Sequence, residues 1–98
     1  MSYYLSIDAG TSVIKVVLFS KNFELVCKES VINKILTDQN GKSEIEMSKF
    51  WLLTSKCIKS CIIKSKIDPS KINAIGLTGN MVGAWPIDQS NKPIRNAI

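Results

Sequence analysis

Several residue types that carry common enzyme chemistry are rare or missing in this sequence. Its 98 residues contain no histidine, a single arginine (Arg95) and three cysteines. Cys57 and Cys61 are four positions apart, about one helical turn, which could suggest a metal pair, but two thiolates without further Cys or His ligands make a poor zinc site. The lack of histidine also removes imidazole as a catalytic acid or base. An odd number of thiols also argues against a disulfide framework and favours buried thiols in a reducing compartment.

Long apolar runs are missing as well, so no segment predicts a membrane span, and the N-terminus lacks a signal-peptide pattern. The formal net charge of +5 comes almost wholly from lysine. These lysines are spread along the chain without interleaved aromatic residues, which favours a solvated surface over a nucleic-acid-binding face. We therefore expect one small cytoplasmic domain at most, which binds neither nucleic acid nor membrane.

The segment Tyr3–Ser20 predicts two strands joined by a tight polar turn, Asp8–Ser12. Glycine at Gly10 followed by two hydroxyl residues can direct N–H and O–H groups at one anion, usually a phosphate. The Asp8 carboxylate beside them suits a metal ion. The turn lacks the spacing of a Walker loop, and it has one glycine where a dinucleotide fingerprint needs three. These are also ordinary turn residues, so a plain hairpin explains them equally well.

The middle of the chain predicts a third strand and a helix. A strand over Phe23–Ile32 would complete an antiparallel meander with one buried face, followed by a polar loop over Asn33–Ser43. Ser48–Ile67 predicts an amphipathic helix with Ser48 as its N-cap, and Asp68-Pro69 is predicted to end it. The residues expected on its apolar stripe are Trp51, Leu52, Ser55, Ile58, Ile62 and Ser65, with Leu53, Cys57 and Cys61 alongside.

A strand over Lys71–Thr78 after the helix predicts a parallel crossover onto the meander. Its carboxyl end would then bring Gly79-Asn80-Met81 beside the Asp8 turn, where α/β sheets usually bind ligands. The remaining segments, Val82–Ile87 and Pro93–Ile98, predict a hairpin. The order β-β-β-α-β is that of the α/β ribonuclease-H-like fold, which actin and the sugar kinases share.

Three separated segments match the motifs of one known family, in order and over nearly the whole chain. Tyr4–Leu18 (YLSIDAGTSVIKVVL) is similar to a first phosphate motif, D-x-G-T-[ST]-x-x-[KR]. Ile72–Ile98 resembles A-I-G-[IL]-[ST]-[GN]-Q-M-x-G followed by G-x-P-[LI]-R-x-A-I. Glu44–Met47 with Trp51 resembles an E-Q-D-P…W segment at the start of a helix. On these segments the chain resembles the FGGY carbohydrate kinases.

The resemblance implies phosphoryl transfer from ATP, with Mg²⁺, to a hydroxyl group of a sugar or polyol. Asp8 would orient the metal ion and the phosphates, and Gly10 would let the backbone approach them. Thr11 and Ser12 would donate hydrogen bonds to phosphate oxygens. Lys15 would add a compensating charge, although a strand lysine that simply faces solvent is the alternative for this position.

Asn80, Met81 and Val82 match the family's substrate-contacting positions, although Met81 fits a strand-end core residue equally well. Xylulokinases tend to show Gln-Met-His there and glycerol kinases Gln-Arg-Glu, so this chain has fewer polar groups for sugar hydroxyls. The opening IDAGTSVIK looks closest to the xylulokinase and erythritol kinase side of the family. A xylulokinase-like substrate is the resulting expectation.

The resemblance also implies components outside the chain. The catalytic Asp that acts as general base is expected beyond Ile98, as is the second domain that carries the adenosine pocket. Residues 1–98 are therefore expected to be an incomplete N-terminal portion of the kinase's N-terminal domain, inactive alone. The alternative is a non-catalytic module that binds nucleotide or a partner, including a second copy in a homo-oligomer, since a truncated sheet exposes its edge.

Overall fold

The computed structural model describes residues 2–80 and 83–98, which build a four-stranded sheet with one helix packed against it. The elements are β1 (Tyr3–Ala9), β2 (Val13–Ser20), β3 (Leu25–Ile32), β4 (Leu36–Thr37), β5 (Ser43–Glu44), α1 (Met47–Ser65) and β6 (Ile72–Gly79). The short strands β4 and β5 form a separate antiparallel pair. No helix of the described part of the chain is long and apolar enough to cross a membrane.

The order of the strands across the main sheet is β3-β2-β1-β6. The first three are antiparallel neighbours, which confirms the predicted meander. β6 lies parallel to β1, with Ala9 opposite Gly79, as the crossover through α1 predicts. The mixed sheet and its crossover confirm the α/β fold class, and they place the carboxyl ends of β1 and β6 side by side.

The core lies between one face of the sheet and α1. The sheet contributes Leu5 and Ile7 from β1 and their register partners Leu18 and Val16 from β2, since strand residues two apart share a face. The helix contributes the thiols of Cys57 and Cys61. Because α1 packs over β2 and β3, the β6 residues on the same face stay uncovered, and Leu77 is 76% exposed.

The buried side of α1 includes Cys57 and Cys61, as expected, but it differs from the predicted stripe at Trp51 and Leu52. Trp51 and Leu52 are 65% and 50% exposed, whereas Thr54, Cys57 and Cys61 are the buried residues. Apolar residues occur on most sides of this helix, so their spacing alone does not single out one face. Packing over β2 and β3 selects the face with smaller side chains, and buried thiols behave there as small apolar groups.

The ends of α1 also differ from the prediction. Glu46 is the N-cap rather than Ser48, and it makes no side-chain capping hydrogen bond. The helix stops at Ser65, because Lys66 takes a left-handed conformation and its N–H donates to the carbonyls of Ile62 and Ile63. Asp68-Pro69 therefore does not end the helix. Asp68 instead caps a short 3-10 turn over Pro69–Lys71.

Two predicted extended segments, the third strand and the C-terminal hairpin, differ from the prediction. Phe23 lies in the turn before β3, with φ 63°, and Leu25 is 60% exposed, so the expected buried alternation holds only from Cys27 onward. β3 is an edge strand, which explains the exposure. After residue 82 the hairpin-like path is present as a single antiparallel bridge between Ile87 and Pro93. A second bridge pairs Ala97 with Ile45 and ties the C-terminal segment to the loop before α1.

Candidate phosphate-binding and substrate site

The turn after β1 and the residue after β6 meet at one edge of the sheet. Ala9 pairs with Gly79, and a Cβ at Gly79 would lie 3.0 Å from the Ala9 carbonyl oxygen, so the two strands are close together there. The sequence then continues into Gly10–Ser12 on one side and Asn80 on the other. Crevices at the carboxyl ends of adjacent parallel strands are the usual ligand sites of α/β sheets.

Asp8 carries the carboxylate at this edge. Its register partners are Lys15 on β2 and Thr78 on β6, and residues opposite one another in a sheet project to the same face. This face is opposite to that of the core residue Ile7. A half-buried carboxylate thus lies between an exposed lysine and an exposed hydroxyl, all on the side of the sheet that α1 does not cover.

The turn itself requires glycine at its first position. A Cβ at Gly10 would lie 2.6 Å from the backbone oxygen of Val13, well inside van der Waals contact. Thr11 and Ser12, which follow it, are both exposed, so their small polar side chains are open to a ligand. The tight turn therefore presents small polar groups at the end of β1, as phosphate-binding loops do.

Asn33 anchors this turn from inside the protein. Its side chain is 4% exposed, and its Nδ2 donates a hydrogen bond of 3.1 Å to the Thr11 carbonyl. Its backbone N–H donates another, of 2.7 Å, to the Ser12 carbonyl. The sequence pattern predicted a polar loop over Asn33–Ser43 and indicated no role for Asn33. The available signal was a lone amide directly after the apolar residues Val31 and Ile32.

Two cavities open next to the turn and Asn80. The larger, of about 480 Å³, lies between the ends of β1 and β6 and the start of α1, where Phe50 and Trp85 line it. The two aromatic rings contact each other edge to face at 5.6 Å. The smaller, of about 110 Å³, is lined by Thr11, Glu44 and Asn80 together with Trp85. Trp85 thus lines both cavities.

Glu44 forms a charged cluster beside the smaller cavity. Arg95 donates to its Oε2 at 2.5 Å, and the Lys42 ammonium lies 3.3 Å from the same oxygen. Partial burial raises the pKa of Glu44, but hydrogen bonds from Arg95 and Lys42 outweigh this, so the pKa lies below its ordinary value of 4.5. Glu44 is therefore ionised at neutral pH, and it holds the segment near Arg95 against the loop before α1.

The predicted site residues are thus largely assembled at one place. The end of β1 carries Asp8, and the turn after it contains Gly10, Thr11 and Ser12. Lys15 lies on the neighbouring strand β2, and Asn80 directly follows β6. Met81 and Val82, the other two predicted substrate contacts, lie outside the described residues. Within the described ranges, no three His, Cys, Asp or Glu side chains cluster as metal ligands.

Comparison with known proteins gives one consistent result. A family model described as the N-terminal domain of the FGGY family of carbohydrate kinases matches residues 3–98. A probable L-xylulose kinase from Pasteurella multocida is 34% identical over 100% of this chain, and a xylulose kinase from Bacillus subtilis is 28% identical over the same share. In both cases the match covers 20% of the relative, so the chain spans about a fifth of their length.

A solved structure shows the same architecture. The crystal structure described as a "xyloylose kinase" from Brucella ovis superimposes with a TM-score of 0.90 and 26% identity. The superposition covers 98% of this chain and 20% of that chain. The predicted ribonuclease-H-like fold, present here as a partial domain, is thereby confirmed.

Proposed function

The chain belongs to the FGGY family of carbohydrate kinases, and on this basis we propose that it supplies the phosphate-binding turn of an ATP-dependent kinase. The reaction would transfer the γ-phosphoryl group of ATP to a hydroxyl group of a sugar or polyol. The observation that supports this most is the meeting of Gly10–Ser12 with Asn80 at the carboxyl ends of β1 and β6. We also propose that the protein is located in the cytoplasm. Its cysteine thiols are free, as is usual for proteins in a reducing compartment.

The turn would bind the phosphates through its small polar groups. Gly10 leaves no side chain between the ligand and the backbone, and the exposed hydroxyls of Thr11 and Ser12 can donate to phosphate oxygens. Lys15 projects from the same face as Asp8 and would offset the negative charge of the phosphates. Phosphoryl transfer depends mainly on such positioning and charge compensation.

The carboxylate of Asp8 fits a magnesium ion. Mg²⁺ in phosphoryl-transfer sites is usually held by one or two carboxylates, with phosphate oxygens and water completing its octahedron. A single half-buried carboxylate beside a phosphate turn matches that donor set. When bound, Mg²⁺ neutralises charge on the transferred group. Asp8 would hold the ion next to the turn, and Thr78 would present its hydroxyl on the same face.

The sugar or polyol would occupy the space beside Asn80. The smaller cavity brings Asn80 together with Thr11 and the ionised Glu44, which gives hydroxyl groups of a substrate both donors and acceptors. Met81 and Val82 follow in sequence and remain predicted substrate contacts. We propose a xylulose-like substrate, because the relatives above are named for xylulose and L-xylulose.

We further propose that the 98-residue chain alone does not turn over substrate. Among the described residues near the turn, the carboxylates are Asp8, assigned to the metal, and Glu44, engaged by two cations. Neither is available as a general base for the sugar hydroxyl. The chain also spans only about a fifth of its relatives' length, and the resemblance to this family implies that a second domain closes around the substrate.

A chimeric kinase tests this function directly. The N-terminal fifth of the Pasteurella multocida relative would be replaced by this chain, and ADP release would be followed with xylulose, L-xylulose or glycerol. We expect sugar-dependent ADP release by the chimera, its loss in Asp8→Asn, and none from the 98-residue chain alone. A folded chimera without sugar-dependent turnover would contradict the kinase assignment. Turnover by the isolated chain would contradict the proposal that it is inactive alone.

A second candidate function is a non-catalytic module that associates through β6. Ile75 and Leu77 are 61% and 76% exposed on the edge strand, which favours pairing with another surface. Size-exclusion chromatography with light scattering, combined with MgATP titration, separates the two functions. A stable homo-oligomer without MgATP binding would favour the module, whereas a monomer that binds MgATP would favour the kinase part.

A further inference from the structure

We propose that Asn33 is the positioning residue that holds the phosphate turn in its binding conformation, an inference that rests on the proposed function of that turn. Asn33 lies 22 positions away from Thr11 in sequence, and it bonds to the carbonyl groups of two consecutive turn residues. Nothing in the motif Asp8–Lys15 reveals this partner. The turn is therefore held by a residue at the end of a neighbouring strand, in addition to the glycine that its own sequence supplies at Gly10.

The two hydrogen bonds have separate consequences. The bond from the Asn33 backbone N–H to the Ser12 carbonyl belongs to the main chain and exists with any residue except proline. The bond from Nδ2 to the Thr11 carbonyl depends on the Asn33 amide alone. A substitution at Asn33 consequently removes the restraint on one peptide plane, that between Thr11 and Ser12, and leaves the adjacent backbone bond in place.

That peptide plane determines where a phosphate-binding donor points. The peptide bond is planar and trans, so the Thr11 carbonyl and the Ser12 N–H point in opposite directions. Because the carbonyl points at the buried Asn33, the Ser12 N–H is directed away from the interior. A backbone N–H turned outward beside two exposed hydroxyls is the donor arrangement that binds a phosphate oxygen.

The burial of Asn33 indicates that the hydrogen bond to the Thr11 carbonyl explains why an asparagine occupies this position. At 4% exposure, an amide would lose its hydrogen bonds to water, a cost that only an internal partner offsets. An apolar residue at the end of β3 would fill the same space without that cost. The Thr11 carbonyl is the partner that the structure gives to Nδ2, and the turn gains its fixed orientation from it.

The test compares Asn33→Ala with Thr54→Val in the 98-residue chain. Thr54 is also buried, and its hydroxyl bonds to the Phe50 carbonyl inside α1, away from the turn. Backbone order of Ser12 would be measured by ¹⁵N relaxation without ligand, and MgATP affinity by ¹⁵N–¹H chemical-shift titration. We expect order parameters of about 0.85 in wild type and below about 0.6 in Asn33→Ala, with a Kd for MgATP raised about tenfold. Thr54→Val should change neither.

Several outcomes would overturn the inference. Wild-type order and affinity in Asn33→Ala would do so while leaving the phosphate turn itself intact, and an equal loss in Thr54→Val would reduce the effect to general destabilisation. Absence of MgATP binding by the wild-type chain would instead contradict the proposed function, and this inference with it. If Asn33→Ala does not fold, the side-chain NH₂ signals of Asn33 in the wild-type chain provide the test instead. They should shift with MgATP at the same Kd as Ser12, and unchanged signals would contradict the role.

Discussion

Replacing Gly10 by alanine tests whether the turn has the conformation described above. The added Cβ would lie 2.6 Å from the Val13 carbonyl oxygen, which is backbone and cannot rotate away. To reach ordinary contact at 3.4 Å, the oxygen must move by about 0.8 Å. Forced shifts of this kind in packed structure cost about 1–3 kcal/mol of the free energy of unfolding. For a domain of this size, about 2 kcal/mol lowers the Tm by roughly 8–16 °C.

Gly76→Ala is the matched control for this substitution. Gly76 lies in the interior of β6, and a Cβ there would meet no atom within 4 Å. Alanine should therefore leave the free energy of unfolding unchanged or raise it by up to about 1 kcal/mol. Urea unfolding followed by circular dichroism measures both variants. Equal unfolding midpoints for Gly10→Ala and wild type would refute the described turn, and so would an equal loss in both variants.

Three further outcomes follow from the core, the Glu44 cluster and the edge strand. Burial raises the pKa of the Cys61 thiol to about 12. Because the thiolate is the reactive form, iodoacetamide at pH 8 should label Cys61 at least about 100-fold more slowly in the folded chain than in urea. Equal labelling rates would contradict the burial of Cys61. Glu44→Gln should speed hydrogen exchange of the Ala97 amide, because it weakens the contact with Arg95. Glu29→Gln, which breaks an ion pair between β3 and Lys64 in the last turn of α1, should not. Unchanged exchange in Glu44→Gln would show that the Glu44 cluster does not hold the C-terminal segment. Leu77→Glu should leave the Tm within about 2 °C of wild type, because this side chain is exposed; a larger loss would place Leu77 in a packed interface.

The strands and their pairing were predicted correctly where they follow from the alternation of apolar residues and from the order of the elements. The alternation in Tyr3–Ser20 predicts β1 and β2, and a strand after a helix predicts the parallel pairing of β6 with β1. The meeting of the Asp8 turn with Asn80 then follows from topology, because parallel neighbours end at the same edge of a sheet. This is why the candidate site could be located before its geometry was known.

The features that sequence analysis missed depend on contacts between distant residues. Trp51 and Leu52 were expected on the buried stripe, but they are exposed because α1 lies over β2 and β3 with the side that carries Cys57 and Cys61. Periodicity cannot choose among several apolar sides of one helix. Asn33 reaches the Thr11 carbonyl because β3 runs beside β2 and ends where β2 begins. The local signal, an amide directly after two apolar residues, does not reveal which distant carbonyl group the side chain reaches.

Binding of MgATP at the turn is the most direct test of the proposed role of this chain. In ¹⁵N–¹H spectra of the 98-residue chain, MgATP should shift the amide signals of Gly10, Thr11 and Ser12 most strongly, and adenosine, which lacks phosphates, should leave them unchanged. Replacing Asp8 by asparagine should remove the Mg²⁺ dependence of these shifts. Shifts spread over the lysine-rich surface, or no shifts in the turn at saturating MgATP, would contradict a phosphate-binding role for this segment.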